Sequence, residues 1–280
     1  TVSDTGSVAA NTLTTIATAN SSGTLNVSAA GTITGTAGQI IAAFADSTIT
    51  EASDVALTVD TANSGTATLT QARSLDGLTT GVVTATIAAT DLSDLVGSSP
   101  LLDANGNNAF TITIGTDDAT VAAADLNTLD GLTTVAINAG NVTTITSSSL
   151  ADINTLYASS GFSGLGDQAI TANDTGSIAA STITTVATAN SSGTLNVSAA
   201  GTITGTAAEI IAAFADGTVT EASDVALTVN SGTATLAEAR SLDGLTTGVV
   251  TATIADTVVS DLLGSSPLLD ANGNNAFTIT

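Results

Sequence analysis

The chain has 280 residues, 25 of them acidic and two basic, for a net charge of −23, with no His, Cys or Met and a hydrophobic fraction of 43%. That charge excludes nucleic acid and anionic lipid surfaces as partners and favours divalent cations. The absence of Cys removes disulfide frameworks and thiolate metal sites, and the apolar fraction is too high for an acidic disordered tail.

From its first residues the chain repeats itself. Residues 3–59 recur almost letter for letter at 173–229, LTTGVVTATIA at 78–88 returns at 245–255, and SSPLLDANGNNAFTIT at 98–113 returns at 265–280. The period of about 170 residues predicts an array, with 1–170 as a first long repeat and 171–280 as a second, incomplete one. Thr1 is not an initiator Met, and Thr280 matches Thr113 inside FTITI. Both ends therefore predict a window on a longer protein.

A shorter period runs inside the long one. Alternating segments at ALTV (56–59), TATI (84–87), TITI (111–114), VAIN (135–138), AITA (169–172) and TLNV (194–197) predict half-buried strands. Small turns follow, and then second strands such as SIA (177–179), TITG (202–205) and TATL (233–236). Apolar residues three or four apart predict short helices over 150–159, with Leu150, Ile153, Leu156 and Tyr157, and over 206–217, with Ile210, Ala213 and Phe214. Capping-box spacing marks helix starts at Thr36 with Gln39, Thr68 with Gln71, Thr206 with Glu209 and Thr235 with Glu238, and less strongly at Ser149 with Asp152. LDGLTT follows three of the helical stretches, offering Gly77, Gly131 and Gly244 as C-caps.

These signals predict strand–turn–strand–helix units of about 28 residues, six to a long repeat, stacked as a repeat solenoid: a parallel β-solenoid with short helices in many coils. A chain of β-sandwich domains is the competing fold. SSPLLDANGNN and SGFSGLGDQ (160–168) are the expected excursions from the stack. No apolar stretch approaches the roughly 18 residues that span a bilayer, so no membrane insertion is expected.

Few residues offer chemistry. In DANGNN, Asp103, Asn105 and Asn107 alternate as oxygen ligands do in Ca²⁺ loops, and Asp270, Asn272 and Asn274 repeat the pattern. No Glu follows at EF-hand spacing, and Asn-Gly also makes ordinary turns. GTDD, with Asp117 and Asp118, is a second acidic turn. Outward Thr58, Thr84, Thr86, Thr111 and Thr113 form a candidate ladder, although Thr is also a good strand residue. Without His or Cys the common catalytic triads cannot form, and no enzyme activity is expected. Arg73 and Arg240 occupy the same repeat position and are expected to pair with neighbouring carboxylates.

The phrases LDGLTTGVVTATI, AADLNTLDGLTT and SLADINTLYAS, within an Ala/Thr/Asp-rich repeat, resemble the giant repetitive cell-surface and secreted proteins of marine cyanobacteria. The resemblance implies an extracellular or cell-surface location, a very long parent chain and calcium-rich surroundings. The GGxGxDx calcium nonapeptide is absent, so calcium binding does not carry over from that repeat family. Array and composition together predict a structural protein that self-associates into filaments, sheaths or layers. The alternative is the stalk of a calcium-dependent adhesin.

Overall fold

A computed structural model describes residues 1–60, 65–97, 102, 106–255, 261, 273 and 275–279. Parallel strands in several sheets alternate with helices, and the chain forms two compact bodies. The first comprises Thr1–Ala119, Asp125–Asn141 and Ser160–Gly164; the second comprises Thr120–Ala124, Val142–Ser159 and Leu165–Thr280.

In the first body the strands Ser7–Ala9, Thr32–Gly35, Ala56–Val59, Val83–Ile87 and Ala109–Thr111 lie side by side. Their register brings Val8 to Ile33, Ile33 to Leu57, Leu57 to Val83, and Ala85 to Phe110. One column of the sheet is therefore aliphatic from strand to strand. Ile33, Leu57, Val83 and Phe110 are all buried. The second body carries two such sheets. One runs Val219–Thr220, Thr194–Asn196, Ala169–Ala172, Thr144–Ser148, Thr120–Val121. The other runs Ser177–Ala179, Thr202–Gly205, Ala226–Val229, Val250–Ile254, Ala276–Ile279. Every named strand pair among the described residues is parallel, which a chain of antiparallel sandwiches would not give.

Partner residues lie about 25 positions apart, as in Ser7 with Thr32, Thr32 with Ala56, Leu57 with Val83, and Thr84 with Ala109. This step is shorter than the expected unit of about 28. The reason lies at 162–179. There the chain makes three strands, Phe162–Ser163, Ala169–Ala172 and Ser177–Ala179, before its next helix. This extra segment lies inside the long repeat, so six equal units of that repeat are longer than one strand-to-strand step. The same region corrects a second expectation. SGFSGLGDQ is no excursion, because Ile137 pairs with Phe162 and Asn138 with Ser163.

The helices form where the caps predict. All four Thr capping boxes are closed in both directions, at Thr36–Gln39, Thr68–Gln71, Thr206–Glu209 and Thr235–Glu238. They open the helices Ala37–Ala45, Leu69–Asp76, Ala207–Ala215 and Leu236–Asp243, each of eight or nine residues. Helices this short are marginal alone; each buries one stripe, such as Ala207, Ile210 and Ala213. TATL contributes a single bridge, Ala234 with Ile254, because Leu236 already belongs to the helix. Gly77 and Gly244 do follow helices, but at φ −71 and −74 they are not left-handed caps.

Candidate functional site

The DANGNN loop was the leading candidate. Asp103, Asn105, Asp270, Asn272 and Asn274 lie outside the described residues. Asn107 is described: its Nδ2 donates to Thr80 O at 3.2 Å, and its Oδ1 is buried with no hydrogen-bond partner among the described residues. An amide oxygen left in that state is a competent hard-cation ligand.

The neighbouring asparagine has a different task that the sequence reading missed. Asn108 is fully buried; its Oδ1 accepts from Val83 N at 2.7 Å and its Nδ2 donates to Asp76 Oδ1 at 2.8 Å. The second copy repeats both bonds, Val250 N to Asn275 Oδ1 at 2.8 Å and Asn275 Nδ2 to Asp243 Oδ1 at 2.7 Å. Asp76 and Asp243 are 7% and 6% exposed. The loop thus ends by plugging into the preceding strand and the end of the preceding helix.

LDGLTT also works between neighbouring strands. Thr79 Oγ1 donates to Val55 O at 2.7 Å and in turn accepts from Gly81 N at 2.9 Å. Thr246 does the same with Val225 and Gly248. In the third instance Thr133 Oγ1 donates to Phe110 O at 2.7 Å. The paired threonines of this phrase are staples from one step to the one before it.

GTDD forms a single turn, Thr116–Asp118, and the Asp118 carboxylate accepts from Leu92 N, the first amide of the helix Leu92–Val96, at 2.9 Å. Asp174 caps Leu150 N in the same way at 2.7 Å. Asp118 is thus placed as a cap for a helix from the previous step. Among the described residues no group of three or more His, Cys, Asp or Glu side chains could hold a metal ion. Arg73 Nη2 donates to the main-chain carbonyl of Asp94 at 2.7 Å and Arg240 Nη2 to that of Asp261 at 2.6 Å. Both arginines therefore donate to backbone oxygens of acidic residues.

The threonine ladder is partly in register: Thr34 faces Thr58, Thr58 faces Thr84, and Thr86 faces both Thr66 and Thr111. Ala109 interrupts it opposite Thr84, and Thr113 bridges to Asn138. A further polar cluster interrupts the aliphatic packing of the second body. Tyr157 Oη lies 2.9 Å from Gln168 Oε1 and 2.8 Å from Asn190 Oδ1, and burial pushes its phenol well above the usual range. Gln168 and Asn190 also bond each other through the main chain, and both are buried.

A groove of about 510 Å³ runs between the helices Ala180–Ala189 and Ala207–Ala215, lined by Ser181, Thr184, Thr185, Thr188, Glu209 and Ala212. Thr184 and Thr185 turn their hydroxyls back onto main-chain carbonyls at 3.1 and 2.8 Å, which leaves mainly methyl groups in the groove. It brings no acid–base pair together. Among the described residues no helix is long and apolar enough to cross a membrane. No family model, curated protein or solved structure matches the chain.

Proposed function

We propose that this chain is a structural protein: a segment of an extracellular filament, sheath or surface layer, built as a parallel β-solenoid with helices along its coils. The observation that carries the reading is the combination of the long sequence repeat with in-register parallel pairing about 25 residues apart. Such pairing sets aliphatic side chains in columns, and each layer buries its apolar face only against its neighbours. Polar groups inside the layers serve the same end, since Thr79, Asn108, Asp118 and Asp174 all bond an adjacent step. Assembly proceeds by self-association, and Ca²⁺ held between acidic faces offsets the repulsion of a chain carrying −23. The Asn107 oxygen left without a partner among the described residues supports a cation at DANGNN.

Cryo-electron microscopy of the purified chain, with and without a calcium chelator, tests this. Long uniform filaments with a repeat near 4.8 Å are expected, and their dissolution on chelation makes Ca²⁺ part of the assembly. Discrete single rods in both conditions overturn the filament reading in favour of an adhesin stalk.

A further inference from the structure

We propose that Glu51 and Glu221 are pH-responsive joints of the stack, closed when the carboxyl carries its proton and loosened when it ionises. The position of Glu51 follows from the register. Leu25 pairs with Ile49 and Asn26 with Thr50, and Val27 N donates to Thr50 O at 2.8 Å. The next residue, Glu51, therefore falls opposite Val27, which is 1% exposed. Alternation agrees: Ile49 is buried, Thr50 is exposed, and Glu51 is half-buried. In the second copy Asn196 pairs with Thr220 and Val197 N donates to Thr220 O at 2.8 Å, placing Glu221 opposite Val197. A carboxylate thus stands where the preceding strand carries valine.

Its surroundings favour the neutral carboxyl over the charged one. Oε1 of both glutamates is buried and has no hydrogen-bond partner among the described residues. The strand Leu25–Asn26 and the helix Ala37–Ala45 pack against Ile49–Thr50 and carry no charged residue, while on the following step the segment that bonds Ser53 through Thr79 and Thr80 brings the buried Asp76, whose carboxylate accepts from Asn108. Around the second copy the strand Thr194–Asn196 carries none, and Glu209 of the helix Ala207–Ala215 is engaged in its own capping box. The charges on the local turn are acidic, Asp46 and exposed Asp54, repeated as Asp216 and Asp224.

The sign follows from these surroundings. Burial, with the Asp46 charge adding to it, outweighs the hydrogen bond that the Glu51 carboxyl accepts from its own backbone and raises it above its ordinary value of 4.5; Glu221, beside Asp216, is shifted upward in the same way. A folded state that holds a proton which the unfolded state has released gains stability from it. That gain is fully present below the ordinary glutamate value and is lost as pH rises through the raised folded value. The joints tighten in mild acid and loosen near neutrality. This deepens the scaffold reading only in what the joints regulate; the joints themselves are a property of the single chain.

The test uses the whole 280-residue chain, wild type and the double variant Glu51→Gln/Glu221→Gln. With ¹³C-labelled glutamate the chain gives four side-chain carboxyl signals, from Glu51, Glu209, Glu221 and Glu238. Two of them are expected to titrate above the ordinary value and to be missing from the variant. Hydrogen exchange at pH 7 is expected to show stronger protection of Val27, Ile49, Val197 and Val219 in the variant. The gain is about tenfold for each pH unit by which burial raises the carboxyl, and it vanishes near pH 4. Absence of any carboxyl signal titrating above the ordinary glutamate value, or equal protection at pH 7, overturns the proposal. Neither readout depends on filaments forming, so failure of the scaffold reading is seen separately.

Discussion

Asn108 donates to the buried carboxylate of Asp76 at 2.8 Å while accepting from Val83 N, and the pair is rebuilt at Asn275 and Asp243. One amide side chain thus satisfies the first amide of a strand and a carboxylate at the end of a helix. Asn108→Ala leaves Val83 N without that acceptor and removes a donor from Asp76. The expected loss is about 2–4 kcal/mol, the range for a buried polar group losing its partner. Urea denaturation measures it. A loss below about 0.5 kcal/mol, the size of a surface substitution, would show the bond to be incidental.

Two glycines in the first body separate backbone crowding from helix propensity. A Cβ on Gly81 would collide with Asp54 O and lie 2.7 Å from Val55 O, so Gly81→Ala must push the neighbouring backbone away. A cost of about 2 kcal/mol or more is expected, from the overpacking range. Gly38 sits inside the helix Ala37–Ala45 with nothing near its absent Cβ, and the second copy carries Ala208 there. Gly38→Ala should stabilise by about 0.5–1 kcal/mol. Thermal melts of the two variants should move in opposite directions; a shift of the same sign in both would contradict this account.

The parts of the fold that were legible in the sequence are those written in local chemistry. Thr-x-x-Gln and Thr-x-x-Glu located four helix starts, because a capping box is made by residues three apart. Period-2 alternation located strands such as Ala56–Val59 and Ala226–Val229. What the sequence could not convey was pairing across about 25 residues. Asn108 reads as one more turn asparagine until its partner Asp76 is placed beside it. The step length was blurred for the same reason, since the third strand at 162–179 shows itself only through its partners. Most of the DANGNN candidate falls outside the described residues, and the Asp118 candidate proved to be a cap acting on Leu92.

Stacked aliphatic columns and outward threonines should respond differently to substitution. Ile210 is fully buried in the helix Ala207–Ala215, whereas Thr113 is exposed between buried Ile112 and Ile114. Ile210→Asp places an unpaired charge among packed aliphatic side chains and should cost more than about 4 kcal/mol, enough to open the structure locally. Thr113→Val keeps a β-branched strand residue and should stay within about 0.5 kcal/mol. Limited proteolysis with denaturant melts distinguishes them. An equal and large loss in both would mean that the strand faces are assigned the wrong way round.

The capping box at Thr206 and Glu209 adds an acid-sensitive contribution that its counterpart at Thr36 and Gln39 lacks. Glu209 Oε2 accepts from Thr206 N at 2.8 Å and from Thr206 Oγ1 at 3.0 Å, and these bonds hold its carboxyl below the ordinary 4.5. A lowered folded value means that the unfolded chain takes up the proton first. The stabilisation is therefore complete above the ordinary glutamate value and is lost as pH falls from there through the lowered one. At the matching position Gln39 closes the same box on Thr36 with no titrating group, its Oε1 accepting from Thr36 N at 3.0 Å. Glu209→Gln should accordingly preserve the helix at neutral pH and remove this part of the acid destabilisation. Melts from pH 6 to pH 3 should show wild type losing stability more steeply than the variant at the acid end. Parallel curves would place the acid sensitivity elsewhere, for instance at Asp216, whose carboxylate accepts from Thr218 N and Oγ1 and is held low for the same reason.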